Sequence, residues 1–135
     1  MFVGKYNLSV STERLELPDG DFIELNWAGE YKQTIVIITH GLTGNNNSHY
    51  IQNLMHHLLS NGLTAVCMNF RGASKEANRK PQTYHAGEIK DLSYVTDTIR
   101  QRYPKSKLVL AGFSLGANVI LNYLAANKAS EICSA

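Results

Sequence analysis

The spacing of hydrophobic and polar positions changes several times along this chain, and each change marks an element. In residues 13–27, ERLELPDGDFIELNW, Leu15, Leu17, Ile23, Leu25 and Trp27 alternate with polar neighbours around a Pro-Asp-Gly turn at 18–20. Alternation broken by turn chemistry predicts an antiparallel hairpin at a sheet edge. Residues 34–39, TIVIIT, are instead an unbroken apolar and β-branched run, the pattern of a strand buried on both faces. A polar loop follows, and a helix is expected from about Ser48. Ile51, Leu54, Met55, Leu58 and Leu59 share one of its faces, and Gly62 lies just past its end.

A second buried strand is expected over 63–70, LTAVCMNF, ending at Arg71-Gly72. About fifteen residues without periodicity come next and contain Pro81; loops of that length inside a compact domain are usually functional. From Ala86 the helical period returns, with Ile89, Leu92, Val95, Ile99 and Tyr103 on one stripe and Pro104 closing it. A short strand at 107–112 and a last helix complete the order: hairpin, strand, helix, strand, helix, strand, helix. That alternation predicts an α/β fold, a mostly parallel sheet with helices on both faces and an antiparallel N-terminal hairpin.

The last strand runs straight into GFSLG, residues 112–116, with Ser114 at its centre. A G-x-S-x-G between a buried strand and a helix is the pattern of a nucleophile elbow. Such a turn holds the serine in a strained backbone conformation that lifts its Oγ above the strand end. The close approach of neighbouring backbone explains Gly112 and Gly116. A plain strand–loop–helix connection with a capping serine is the bland alternative.

His40-Gly41 stand at the carboxyl end of the 34–39 strand, as Ser114 does at the end of 107–112. Ligands of open α/β sheets bind at those strand ends, so the two motifs converge on one site. A serine attacking an acyl carbon needs donors aimed at the oxygen that becomes negative, each worth about 3–4 kcal/mol. In elbow hydrolases one is the amide after the nucleophile, here Leu115, and the other comes from the loop after the first buried strand. Leu42 is the candidate there, because Gly41 lets the chain turn sharply.

Histidine limits the picture. His40 reads as a brace for its loop, His49, His56 and His57 as ordinary helix residues, and His85 as a cap or a pocket-mouth residue. None follows Ser114, and Glu131 is the only carboxylate after it. The elbow fold places its acid and histidine after the nucleophile.

Composition adds mainly exclusions. The 135 residues allow one domain, and 44% hydrophobic with 18% charged residues is ordinary for a globular chain. A net charge of +2 with scattered cations gives no nucleic-acid footprint; the stretch from 71 to 80 has four, diluted by Glu76. Two cysteines, Cys67 and Cys133, make neither a disulfide framework nor a metal site. No signal-peptide core or transmembrane segment is evident, so a cytoplasmic location is expected. Neither a dinucleotide fingerprint after the first buried strand nor a P-loop is present.

Four stretches together resemble one family: ERLELPDGDFIELNW (13–27), HGLTGNNNSHY (40–50), NFRGASKEANRKPQTYHAGEIKDL (69–92) and GFSLGANVILNYL (112–124). They cover about half the chain. The resemblance is to the α/β-hydrolase fold, and within it to esterases related to the mammalian α/β-hydrolase-domain phospholipases. It implies Ser114 as nucleophile, Leu42 and Leu115 as oxyanion amides, and a small-molecule ester or lipid substrate, with no metal or organic cofactor.

The resemblance also implies an eight-stranded sheet. Residues 1–135 would form a partial domain, the first five strands and the elbow, with the family's acid and histidine on later strands. Two readings follow: the N-terminal portion of a carboxylic-ester hydrolase, or a truncated, non-catalytic remnant of one; an acyltransferase using the same serine is a third. The isolated chain is expected to lack catalysis, and the 107–112 strand to be an exposed edge that promotes self-association.

Overall fold

The computed structural model describes residues 8–30, 33–41, 44–74, 77–79 and 89–127. Five strands and three helices follow in order: β1 (Ser11–Glu16), β2 (Phe22–Ala28), β3 (Thr34–Thr39), α1 (His49–Ser60), β4 (Thr64–Asn69), α2 (Ile89–Arg102), β5 (Lys107–Gly112) and α3 (Leu115–Asn127). The strands form one mixed sheet in the order β1-β2-β4-β3-β5. The hairpin pairs antiparallel, β2 continues antiparallel onto β4, and β4, β3 and β5 run parallel. This is the α/β architecture expected from the sequence, with β5 as the last described strand on its side.

Pleating splits each central strand between two cores, because successive side chains face opposite sides of a sheet. Ile35 and Ile37 of β3 face α2 and α3, packing with Leu92, Val95, Ile99, Val119, Ile120 and Tyr123. Val36 and Ile38 face the other way, against Ile51 and Met55 of α1. Two covered faces explain why β3 and β4 read as continuous apolar runs. Cys67 of β4 belongs to the second core, and burial first, then the nearby Glu24 charge, pushes its thiol up to about 12.

One element differs from its sequence pattern. Alternation in β2 predicts one wet face, yet Phe22, Asn26 and Ala28 are as buried as Ile23, Leu25 and Trp27. The strand is interior, between β1 and β4, and its second face is covered from elsewhere in the chain. The Arg14 and Arg79 guanidinium groups sit over the Phe22 ring at 4.2 and 5.3 Å from its centroid, while Asn26 bonds Thr12 and Glu24.

Candidate active site

The parallel strands end together, and their carboxyl ends present His40 and Gly41 after β3, Phe70 and Arg71 after β4, and Phe113 and Ser114 after β5. Ser114 has φ of +52°, the one positive φ at a non-glycine residue in the described chain. That left-handed conformation costs a side-chain-bearing residue about 1 kcal/mol or more. It persists because both flanks are fixed: β5 is hydrogen-bonded to β3, and α3 begins at Leu115. The result is an exposed serine at the top of a strand-to-helix turn.

The flanking glycines fit that turn by exclusion. A Cβ on Gly112 would lie 2.7 Å from the Ala117 nitrogen, and one on Gly116 would lie 2.5 Å from the Thr39 carbonyl oxygen and 2.7 Å from that of His40. These are backbone atoms that cannot step aside, so α3 can start this close to β3 only with hydrogen at both positions. The Thr39 hydroxyl beneath the turn is buried and has no hydrogen-bond partner among the described residues.

His40 is fully buried and braces the loop. The Phe70 N–H donates to its Nε2 at 3.0 Å, which makes that nitrogen an acceptor. Its Nδ1 must then carry the proton and donates to the Gly41 carbonyl at 2.8 Å. The ring also meets Phe70 edge-on with centroids 4.8 Å apart. Burial drives its pKa below the usual histidine value, partly opposed by the Gly41 hydrogen bond, so the neutral form is favoured. With both nitrogens engaged, this histidine is not poised to take a proton from Ser114. Among the described residues, none hydrogen-bonds the Ser114 hydroxyl.

Gly41 sits between this brace and the elbow. A Cβ placed on it would be 3.6 Å from the Ser114 Cβ and 3.3 Å from the Tyr50 hydroxyl. Its own N–H donates to that hydroxyl at 2.8 Å. The Leu115 amide, at the first position of α3, has no intrahelical acceptor available to it. Leu42 and His85 lie outside the described residues, as do Glu131 and Cys133.

Three further residues brace the surroundings of the site, two of them on the loop after β3, and sequence reasoning gave them no role. Tyr50, in the first turn of α1, bonds Gly41 and packs its ring on Phe113 with centroids 4.7 Å apart. Asn69, the last residue of β4, accepts from the Asn46 N–H at 2.9 Å and donates to the Asn46 side chain at 3.1 Å. Arg71 is buried and clamps Asp91 of α2 through two bonds of 2.7 and 2.9 Å, reaching Asp19 of the hairpin turn at 2.7 Å. A signal for the last two existed: an asparagine and an arginine directly after a buried apolar run must be paired inside the protein. Tyr50 had no such mark.

No group of three or more His, Cys, Asp or Glu residues among the described residues is arranged to hold a metal ion. Likewise no described helix is long and apolar enough to cross a membrane.

The α/β-hydrolase family model matches residues 34–135. The chain belongs to the α/β-hydrolase fold family. It is 37% identical over 118 residues to YheT of Escherichia coli, named for an esterase, covering 84% of this chain and 34% of that protein. Saccharomyces cerevisiae monoacylglycerol lipase is 35% identical over 91 residues, or 67% of this chain and 20% of the lipase. Human phospholipase ABHD3 is 30% identical over 121 residues, 83% of this chain and 30% of its own length. The chain thus spans about a third or less of these relatives. Among solved structures, an esterase of Pyrococcus furiosus superposes with a TM-score of 0.77 at 26% identity, covering 98% of this chain and 53% of the esterase. A lidless serine hydrolase of Xanthomonas campestris gives 0.73 at 26%, covering 91% and 59%.

Proposed function

We propose that this chain carries the nucleophile half of a serine hydrolase acting on carboxylic esters, with Ser114 as the nucleophile. The observation behind this reading is the backbone of Ser114: a strained, exposed serine between two glycines that admit no Cβ, at the carboxyl end of a parallel strand. Strain kept at one exposed side chain, with the surrounding backbone built around it, points to use of that side chain. Its Oγ would add to the ester carbonyl carbon as its proton passes to a base. The alcohol would then leave, and water would release the acid from the acyl-serine.

The oxyanion formed on addition would be held by the Leu115 amide and by the Leu42 amide. Gly41 cannot serve, because its N–H is committed to Tyr50. The positive end of α3 faces the same place. The rings of Tyr50 and of Phe113, the residue before Ser114, pack at a tilt with centroids 4.7 Å apart and would offer an acyl chain an apolar wall. This agrees with relatives named as an esterase, a monoacylglycerol lipase and a phospholipase. The reading requires no metal or organic cofactor. The base and acid of a triad would come from outside the described residues, which makes residues 1–135 a partial hydrolase domain.

A non-catalytic remnant is the second reading, favoured by the engagement of both His40 nitrogens. One experiment separates the two. The protein expressed from its intact gene should turn over p-nitrophenyl butyrate, lose that activity in Ser114→Ala, and be labelled by a fluorophosphonate at Ser114. Absence of both turnover and labelling would favour the remnant; turnover that survives Ser114→Ala would remove the serine mechanism.

A further inference from the structure

Tyr50, in the first turn of α1, turns its hydroxyl toward the loop after β3, where the oxygen accepts the Gly41 N–H at 2.8 Å. A phenol can accept and donate at the same time. Among the described residues nothing accepts the Tyr50 proton. The Gly41 carbonyl is already taken by the His40 Nδ1–H at 2.8 Å and the Gly44 N–H at 3.0 Å. The hydroxyl is therefore half used: the backbone holds its oxygen, and its proton is left over.

This spare donor stands beside the nucleophile. The point at which a Gly41 Cβ would stand lies 3.3 Å from the Tyr50 hydroxyl and 3.6 Å from the Ser114 Cβ, so the two side chains flank one face of the same glycine. The Tyr50 ring packs on Phe113, directly before Ser114, with centroids 4.7 Å apart. Both Tyr50 and Ser114 are exposed, so a substrate that reaches one of them is near the other. His40, the titratable side chain of that loop, has both nitrogens engaged elsewhere and does not compete for the phenol proton.

We infer that Tyr50 is a catalytic residue whose O–H donates a hydrogen bond to the negative oxygen that forms when Ser114 adds to an ester, alongside the Leu115 amide. No bond is made or broken at Tyr50, and the proton stays on the phenol. Donors fixed before the reaction are the effective ones, and the side chain of a tyrosine can serve as well as an amide. The Gly41 N–H fixes this one and polarises its O–H, which strengthens the bond it gives. The inference rests on the hydrolase reading. It also accounts for the glycine at 44, since a Cβ there would collide with the Tyr50 hydroxyl.

The test uses the protein expressed from its intact gene, with p-nitrophenyl butyrate as substrate. Tyr50→Phe, which keeps the ring, should lower kcat by about 10²-fold, the low end of the cost of one oxyanion donor. KM should stay within about twofold, because the bond forms only in the transition state. A second protein carries a polyfluorinated tyrosine at position 50, which ionises at lower pH than tyrosine. An ionised phenol still accepts the Gly41 N–H but has no proton to give, so donation is separated from support of the loop. The fluorinated protein should lose kcat on the alkaline side at a lower pH than the native one. Its Gly41 amide, labelled with 15N-glycine, should stay protected from exchange over the same range. Full kcat in Tyr50→Phe beside an inactive Ser114→Ala overturns the inference. An alkaline limb that fluorination does not move overturns it too, since Tyr50 would then only support the loop. Activity that survives Ser114→Ala overturns the hydrolase reading and this inference together.

Discussion

The Phe70 amide and the Nε2 of His40 meet at 3.0 Å in a fully buried setting, and this one bond fixes the protonation state of the loop beneath the elbow. An imidazolium has a proton on both nitrogens and would confront the Phe70 N–H with a second donor. His40 must therefore stay neutral, as its lowered pKa indicates. The unfolded chain binds this proton more readily than the folded one, so stability rises with pH across the titration. Stability from this source is complete above the unfolded value of about 6.5 and is lost as pH falls through the lower folded value. Urea midpoints should drop between pH 7.5 and pH 5, and His40→Asn should reduce that slope while lowering the midpoint at neutral pH. A slope unaltered by the substitution would assign the acid sensitivity elsewhere.

Strain at Ser114 has a measurable sign. Ser114→Gly relieves the left-handed conformation, whereas Ser114→Ala retains it. The glycine variant should be more stable than the alanine variant by about 1 kcal/mol, and both should lack serine chemistry. Paired thermal melts decide the matter; equal melting temperatures would mean the turn is not strained.

Arg71 and Arg79 make contrasting ion pairs. Arg71 is 5% exposed with Asp91 at 6% and Asp21 at 0%, while Arg79 and its partner Glu16 are 46% and 59% exposed. Removing Arg71 leaves buried carboxylates without their cation, so Arg71→Met should cost about 3–5 kcal/mol. Arg79→Met, at an exposed pair screened by solvent, should cost far less. Arg71→Lys should not rescue fully, since a single ammonium cannot reproduce the two-pronged contact with Asp91. Denaturant titrations of the three variants would test the order.

The β5 edge should be adhesive. Its residues are of the same apolar kind as those of β3 and β4, yet Val109 is 37% exposed, and Leu121 on the adjoining helix is 64% exposed. Flat apolar edges recruit further strands. We expect sedimentation velocity on the 135-residue polypeptide to show concentration-dependent association in the micromolar range, reduced by Val109→Lys. A monodisperse monomer at high micromolar concentration would oppose this.

The same 135-residue polypeptide should show negligible Ser114-dependent turnover of a p-nitrophenyl ester. An unassisted serine hydroxyl is a weak nucleophile near neutral pH. Binding and an oxyanion site alone retain only about 10³–10⁴-fold over water. Robust turnover abolished by Ser114→Ala would instead locate a base within these residues, with His85 the first to replace.

Much of this architecture is written locally and was therefore readable. Runs such as TIVIIT announce burial on both faces, and GFSLG announces its turn because the glycines and serine answer to backbone sterics within five residues. The links that position the site are of another kind. Asn69 reaches Asn46, Arg71 reaches Asp19 and Asp91, and His40 reaches Phe70, each across twenty or more residues. Period and propensity carry no information about such pairs, which depend on the sheet order. The second buried face of β2 was hidden for the same reason, since the arginines over Phe22 come from β1 and from residue 79.

Sheet order also sets a clock. Strand β3 lies between β4 and β5, and its register with β5 joins Thr34 to Lys107 and Thr39 to Gly112, roughly seventy residues apart in the chain. At a synthesis rate of about 5–20 residues per second, β3 is made some 4–15 seconds before β5. Until β5 arrives, the most apolar of the described strands can have only β4 beside it, its other flank is bare, and α3 is not yet there to cover its face. Apolar surface exposed in this way is what holding chaperones bind, and a ribosome pausing between β4 and β5 would prolong its most vulnerable moment.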